Sequence, residues 1–307
     1  MTTSDTPATT PALTAPSAPP VPRLGLAFVP VVPPERLRSL AQAADAAGLD
    51  ELWVWEDCFK ESGIASAAAS LAWTERISIG VGLLPVPLRN VGLTAMEIAT
   101  LDRLFPGRFT AAVGHGVQSW MGQVGARVES PMTLLREYAG ALRRLLNGER
   151  VSVKGRYITL DDVALDWPPL TPPALLLGGS GPKSLQLAGE LGDGTLLEAA
   201  LTDDQVRAAC VLITEANSAA AGHAIVATQI AATGAGAQER VDAEVRRWRP
   251  SPGPGIGVAG DAAAIAASVR RLASFGITSV AIQPTEDEPD LEGFIAFLGR
   301  EVRPLLA

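Results

Sequence analysis

The stretch best equipped for chemistry runs from Leu175 to Gly194, LLLGGSGPKSLQLAGELGDG. Three leucines end in Gly178-Gly179-Ser180-Gly181, and a helical pattern begins at Pro182. A short apolar strand therefore enters a helix through a loop with almost no side chains. Ser180 is expected as the N-cap, with Pro182 in the first turn, where a missing N–H costs little. The amides of that turn and the bare backbone before it suit a phosphate. Each dipole contact contributes only ~0.3–1 kcal/mol at an exposed position, so an anion here would anchor a larger ligand. The alternative is a tight strand-to-helix turn without a ligand.

Other polar or glycine-rich strand ends are candidates by position. His115 stands between Gly114 and Gly116. A glycine on each side lets a flat ligand approach the backbone, and an imidazole exchanges a proton near pH 7; a structural histidine is the alternative. Trp120 follows closely and can wall a ring-shaped ligand or pack within its own loop. Glu56-Asp57-Cys58 directly follows the apolar run ELWVW. Asp57 can serve the site or cap the next turn, and Cys58 reads as a small half-buried side chain rather than a nucleophile. Gly82-Leu83 and Arg89-Asn90 lie at a further strand end, where Arg89 can equally be a surface charge.

The elements that must position these residues alternate. Short apolar runs are expected as strands at 23–29, 51–55, 77–84, 109–113, 174–177, 194–197, 225–232 and 277–282. Helical patterns separate them, and a hairpin over 150–163 turns at Lys154-Gly155. The runs are apolar throughout, as for strands buried on both faces. Count, order and length predict an α/β fold, a (β/α)8 TIM barrel formed by residues 23–307 as one domain. A doubly wound sheet is the runner-up, weakened by the lack of G-x-G-x-x-G after the first strand.

Composition narrows the partners. The net charge is -8, with no Lys/Arg cluster, which argues against nucleic acid or an anionic membrane surface. No apolar run approaches the ~18 residues of a membrane span. Two cysteines without metal spacing and only two histidines give no reason to expect a metal. Residues 1–22, rich in Pro, Thr and Ala, lack the basic start and apolar centre of a signal peptide. They are expected as a disordered tail on a cytoplasmic protein. Without a metal cluster or a nucleophile–His–acid triad, a phosphate seat points to a phosphorylated cofactor that carries the reaction.

Several stretches, in order, resemble the luciferase-like flavin and deazaflavin oxidoreductases. They include AQAADAAGLDELWVWED (41–57), RISIGVGLLPVPLRN (76–90), EIATLDRLFPGRFTAAVGHG (97–116), GGSGPKSLQLAGELGDG (178–194) and VAGDAAAIAASVRRLASFGITSVAIQP (258–284). The resemblance implies a TIM barrel that binds a reduced flavin or deazaflavin at the strand C-termini. It implies a cofactor phosphate on the amides of Ser180 and Gly181, beside Gly179, and a non-proline cis peptide near Gly82-Leu83. Asp57, Cys58 and Gly114-His115-Gly116 fall where family members contact the cofactor. Many relatives carry a histidine directly after the strand-two acid; here that residue is Cys58, so His115 and Asp57 are the candidates for catalysis. The form of the phosphate stretch looks like the branch using coenzyme F420, that of the third strand as much like the FMN monooxygenases. The implied function is hydride transfer between F420 and a small organic substrate. The alternatives are an FMN-dependent monooxygenase fed by a separate reductase, and a non-catalytic flavin-binding relative. A homodimer is implied by analogy.

Overall fold

The computed structural model describes residues 21–217, 222–249, 251 and 253–307. Residues 1–20 of the expected tail lie outside the described residues, as do Pro250 and Pro252 of the expected loop at 250–255. The chain opens with β1 (Arg23–Phe28), α1 (Leu37–Ala46), β2 (Glu51–Val54), α2 (Gly63–Trp73) and β3 (Ser78–Pro85). It continues with α3 (Val91–Leu104), β4 (Phe109–Gly114), α4 (Gln118–Gln123) and α5 (Pro131–Leu146). An antiparallel pair, β5 (Val151–Lys154) and β6 (Thr159–Val163), forms a sheet of its own. Then come β7 (Leu175–Gly179), α6 (Pro182–Leu191), β8 (Gly194–Leu197), α7 (Asp203–Ala216) and β9 (Ala224–Ala232). The chain ends with α8 (Ala237–Trp248), β10 (Gly257–Ala259), α9 (Ala262–Ala273), β11 (Ser279–Pro284) and α10 (Leu291–Phe297).

The main sheet is parallel throughout and runs β9-β11-β1-β2-β3-β4-β7-β8, and β8 pairs back onto β9. This closure makes an eight-stranded TIM barrel with helices between successive strands. Outside the closure, β10 extends the ladder along the end of β9, pairing Gly257 with Ile230 through Ala259 with Ala232. No expectation covered β10 or α4, because three strand residues and six helical ones are too short to show a period. Two core layers result. The larger lies between strands and helices. The smaller fills the barrel, with Trp53, Ala112, Leu176, Val226 and Ala281 at its centre.

Local chemistry explains several boundaries. Asn90 caps α3 by accepting from the Gly92 N–H at 2.9 Å, as its position suggested. Thr202 and Gln205 form a reciprocal capping box at the start of α7. That helix ends at Ala216, short of the expected 220; residues 218–221 lie outside the described residues. After α10 the expected last helix continues as π and 3-10 turns through Leu306. Pro304, which has no N–H for an α-helical bond, lies within these turns. Ser180 is not the cap of α6: Pro182 occupies the first helical position, which puts the cap on Gly181, with no side-chain hydrogen bond.

The barrel interior is set by glycines opposite large side chains. Glu51, Trp53 and Trp55 share one face by the two-residue period of a strand. The Trp53 ring lies across β3, where a Cβ on Gly80 would come within 2.5 Å of it. The indole Nε1 donates to Glu51 Oε2 at 2.7 Å, and Ser279 Oγ donates to the same oxygen at 2.6 Å. The other Glu51 oxygen pairs with Arg23 Nε at 3.0 Å. With Trp53 so fixed and only 3% exposed, Gly80→Ala is expected to overpack the barrel and destabilise it by ~1–3 kcal/mol. The urea unfolding midpoint checks this; a midpoint equal to that of the unaltered protein would show that Trp53 can move aside.

Candidate active site

The C-terminal ends of the barrel strands surround a cavity of about 370 Å3, within the size range of small-molecule sites. Its floor comes from β3. The ladder between β3 and β4 shifts register between Val81 and Leu84, so Gly82 and Leu83 bulge out of the pairing. The Gly82–Leu83 peptide is cis, as the family resemblance implied; the Cys58–Phe59 peptide is cis as well. Leu83 then lies on the adjacent strands, where Gly114 and Gly178 are ladder partners. A Cβ on Gly114 would stand 2.6 Å from Leu83 Cδ2, and one on Gly178 2.4 Å from it.

One rim is the corner between β7 and α6. The strand runs through Gly179, two residues beyond the expected Leu177, because Gly178 and Gly179 still pair with Leu196 and Leu197 of β8. A Cβ on Gly179 would stand 2.5 Å from Ser184 Cβ. That contact holds the first turn of α6 against the strand end, with Ser180 beside it in the cavity wall. The first-turn amides of a helix lack intrahelical partners.

His115 faces this corner. Its Nε2 lies 3.1 Å from Ser184 Oγ, a hydroxyl able to serve either imidazole tautomer. Its Nδ1 is buried and meets no partner in hydrogen-bond geometry among the described residues. Burial pushes the imidazole below the usual histidine pKa, with the Pro131 backbone pulling the other way. Burial thus favours the neutral ring, a form able to donate at one nitrogen and accept at the other. Gly116 follows at φ +65, a conformation glycine adopts without strain. Just beyond it, α4 brings Trp120 into the cavity wall.

The opposite rim is the end of β2. Trp55 and Asp57 line the cavity. Burial raises the Asp57 carboxyl above its usual pKa; Glu61 adds to the rise and Lys60 opposes it. Glu56 also lines the cavity, but its carboxylate is committed. It accepts from the Gly63 N–H at 2.8 Å and from Arg89 Nε and Nη2, both at 3.0 Å. Arg89 also pairs with Glu97 at 2.6 Å. Arg89 therefore braces β2, β3 and α3 instead of standing free at the mouth or on the surface.

The family-level comparison agrees with this geometry. The model of the luciferase-like monooxygenases matches residues 9–279. The chain belongs to that family. Among its relatives, the 5,10-methylenetetrahydromethanopterin reductase of Methanolobus tindarius is 32% identical over 181 residues, covering 59% of this chain and 55% of the relative. An F420-dependent glucose-6-phosphate dehydrogenase of Nakamurella multipartita is 30% identical over 174 residues, covering 52% of this chain and 51% of the relative. The chain spans about half the length of these curated relatives. The solved structure of monooxygenase RslO1 from Streptomyces bottropensis superposes with a TM-score of 0.81 at 19% identity, over 93% of this chain and 100% of that one. At that identity the likeness shows a shared fold.

Of the residues expected from sequence, Asp57, Gly82, Leu83, His115, Gly116, Gly179 and Ser180 meet around the one cavity. Cys58, Gly114 and Gly181 stand outside its lining. Cys58 is half-buried, and burial, Glu56 and Asp57 all push its thiol pKa up, so it is not primed as a thiolate. Gly114 lies beneath Leu83, and Gly181 caps α6. Sequence reasoning missed Ser184, Glu198, Thr228 and Trp248. Ser184 was legible as the residue one turn into α6 on the side of the strand end. Trp248 gave no signal, since it ends a polar helix distant in sequence.

Two outcomes follow from this geometry. The folded protein disfavours the His115 imidazolium, so the unfolded chain takes up that proton first. The stability His115 contributes is complete above the unfolded histidine value of ~6.5 and is lost as pH falls through the lowered folded value. Urea midpoints at about pH 7.5 and about pH 5.5 should therefore differ less in His115→Gln than in the unaltered protein, and an equal difference would remove the linkage. Gly178→Ala should lift Leu83 into the cavity and weaken binding of a planar ring about tenfold or more, equivalent to ~1.4 kcal/mol. Fluorescence titration with the ring ligand measures it; unchanged affinity would mean that Leu83 is not the floor.

Proposed function

We propose that the protein is a coenzyme F420-dependent oxidoreductase that moves a hydride between the deazaflavin and a small organic substrate. The observation that carries the reading is the opening of a bare-backbone corner and a buried neutral imidazole into one cavity floored by Leu83. An anionic tail fits the corner, because Gly181 opens onto free space, with nothing within 4 Å of where its Cβ would stand. A planar ring fits the floor and the tryptophan walls. F420-dependent relatives at about 30% identity support the same cofactor.

In this reading Gly179, Ser180, Gly181 and the first turn of α6 hold the phosphate. Leu83 supports the ring, and Trp55 and Trp120 exclude water from its edges. His115, oriented by Ser184, is the imidazole that exchanges a proton. Asp57, raised toward its neutral form by burial, is the second proton-handling group. When bound, F420 supplies a two-electron hydride carrier. Cys58 is given no proton-transfer role, since its thiol is shifted away from ionisation.

A second reading, an FMN-dependent monooxygenase supplied by a separate reductase, draws support from the family description and from the monooxygenase RslO1 fold. Titration of the purified protein with F420 and with FMN, followed by fluorescence, separates the two. F420 is expected to bind at least tenfold more tightly, a margin of ~1.4 kcal/mol. A tenfold preference for FMN would overturn the F420 reading. Substrate-dependent reoxidation of the bound reduced cofactor is expected, and its complete absence across a broad substrate panel would favour a non-catalytic binder.

A further inference from the structure

A second cavity, of about 380 Å3, opens at the other end of the barrel. Its lining includes Phe109 and Thr110, which begin β4, and Ala174, the residue before β7. It therefore lies at the strand N-termini, away from the candidate active site. Arg103 and Leu170 line it as well. The most exposed large apolar side chains among the described residues gather here. They are Leu170 at 82%, Trp167 at 72% and Leu104, next to Arg103 in the chain, at 65%. Exposed apolar patches on soluble proteins mark contact sites.

The patch is ordered by its own contacts. Residues 167–173 read WPPLTPP, and the four prolines fix φ along the loop. Arg103 Nη1 donates to the Pro168 carbonyl at 3.0 Å, and the same guanidinium stands 5.3 Å from the centroid of the Trp167 ring. Trp167 thus offers an incoming chain a ring already held in place, which lowers the entropic cost of binding.

The sequence holds a segment of matching character. Residues 1–20 contain five prolines, Leu13 and one charged side chain, Asp5, opposite in sign to Arg103. Proline-rich segments dock on aromatic-lined grooves because they have little conformational entropy left to lose. The described chain starts at Val21, just before β1. The barrel strands are parallel, so β1 starts at the same end as β4 and β7. Only β2 and β3 separate β1 from β4 in the sheet, a span of ~14 Å at ~4.8 Å per ladder step. Residues 1–20 can reach up to ~66 Å when extended. A second copy of the chain is the poorer match, since a net charge of -8 sets two copies against each other.

We propose that residues 1–20 dock on this patch of their own chain, against Trp167 and Leu170. The proposal is independent of the oxidoreductase reading. It is tested on the full chain, with nitrogen-15 in its tryptophans and a nitroxide attached at Thr10→Cys. Cys58→Ser removes the other accessible thiol, since Cys210 is buried. The Trp167 indole N–H, assigned with Trp167→Phe, should lose most of its intensity to the nitroxide. Trp73 ends α2 at the same end of the barrel and reports a segment that sweeps without docking; it should keep most of its intensity. Leu170→Asp, at a position too exposed to carry the fold, should return Trp167 to the level of Trp73.

Equal loss at the two tryptophans overturns the proposal. So does full intensity at Trp167, or a loss there that survives Leu170→Asp. A mixture of nitroxide-bearing chains without nitrogen-15 and nitrogen-15 chains without nitroxide should leave Trp167 unchanged. Loss of its signal in that mixture would seat the segment of a second copy on the patch and overturn the assignment to the same chain.

Discussion

Leu83 rests on two strands that carry no side chain at the point of contact, and the mouth of the barrel depends on that fit. Gly114 and Gly178 are ladder partners, so their bare backbones form a continuous shelf. The bulge in β3 brings Leu83 onto the shelf. Close packing allows little tolerance here, since interiors are as dense as organic crystals. The same device acts one layer down, where the Trp53 ring occupies the space that a side chain on Gly80 would fill. Glu51, with Ser279 and Arg23, then locks the indole from below.

The rim repeats this logic with charges. Glu56 could be mistaken for a catalytic acid, but its oxygens are taken by Arg89 and by the start of α2. That commitment leaves Asp57 as the neighbouring carboxyl with freedom to titrate, and burial moves it toward the neutral form. His115 shifts in the opposite sense for the same reason, because burial penalises whichever form is charged. Two titratable groups thus line one cavity, both shifted toward their neutral forms by burial.

Much of the site was legible without coordinates. The glycine run at 178–181, the glycines flanking His115 and the acid after β2 all stood at strand ends, and barrels place function there. The legible part failed at single-residue resolution. Ser180 looked like a cap by residue type, yet proline geometry moved the cap to Gly181. Arg89 read as either a strand-end candidate or a surface charge, yet two carboxylates from separate elements enclose it. Cys58 took the position where many relatives carry a histidine, but the cavity lining passes it by.

The sequence alone determined the alternation of the eight barrel strands with their helices, the parallel sheet they make and the glycine-rich corner after β7. These follow from local rules: apolar runs, turn residues and the absence of side chains at glycine. Only the tertiary structure decided what meets across the mouth. Ser184 and His115 are 69 positions apart, Gln283 and Glu244 are 39 apart, and Trp248 comes from a helix whose own pattern is polar. Their contacts depend on how the barrel closes, and closure is a property of the whole sheet that no window of sequence contains.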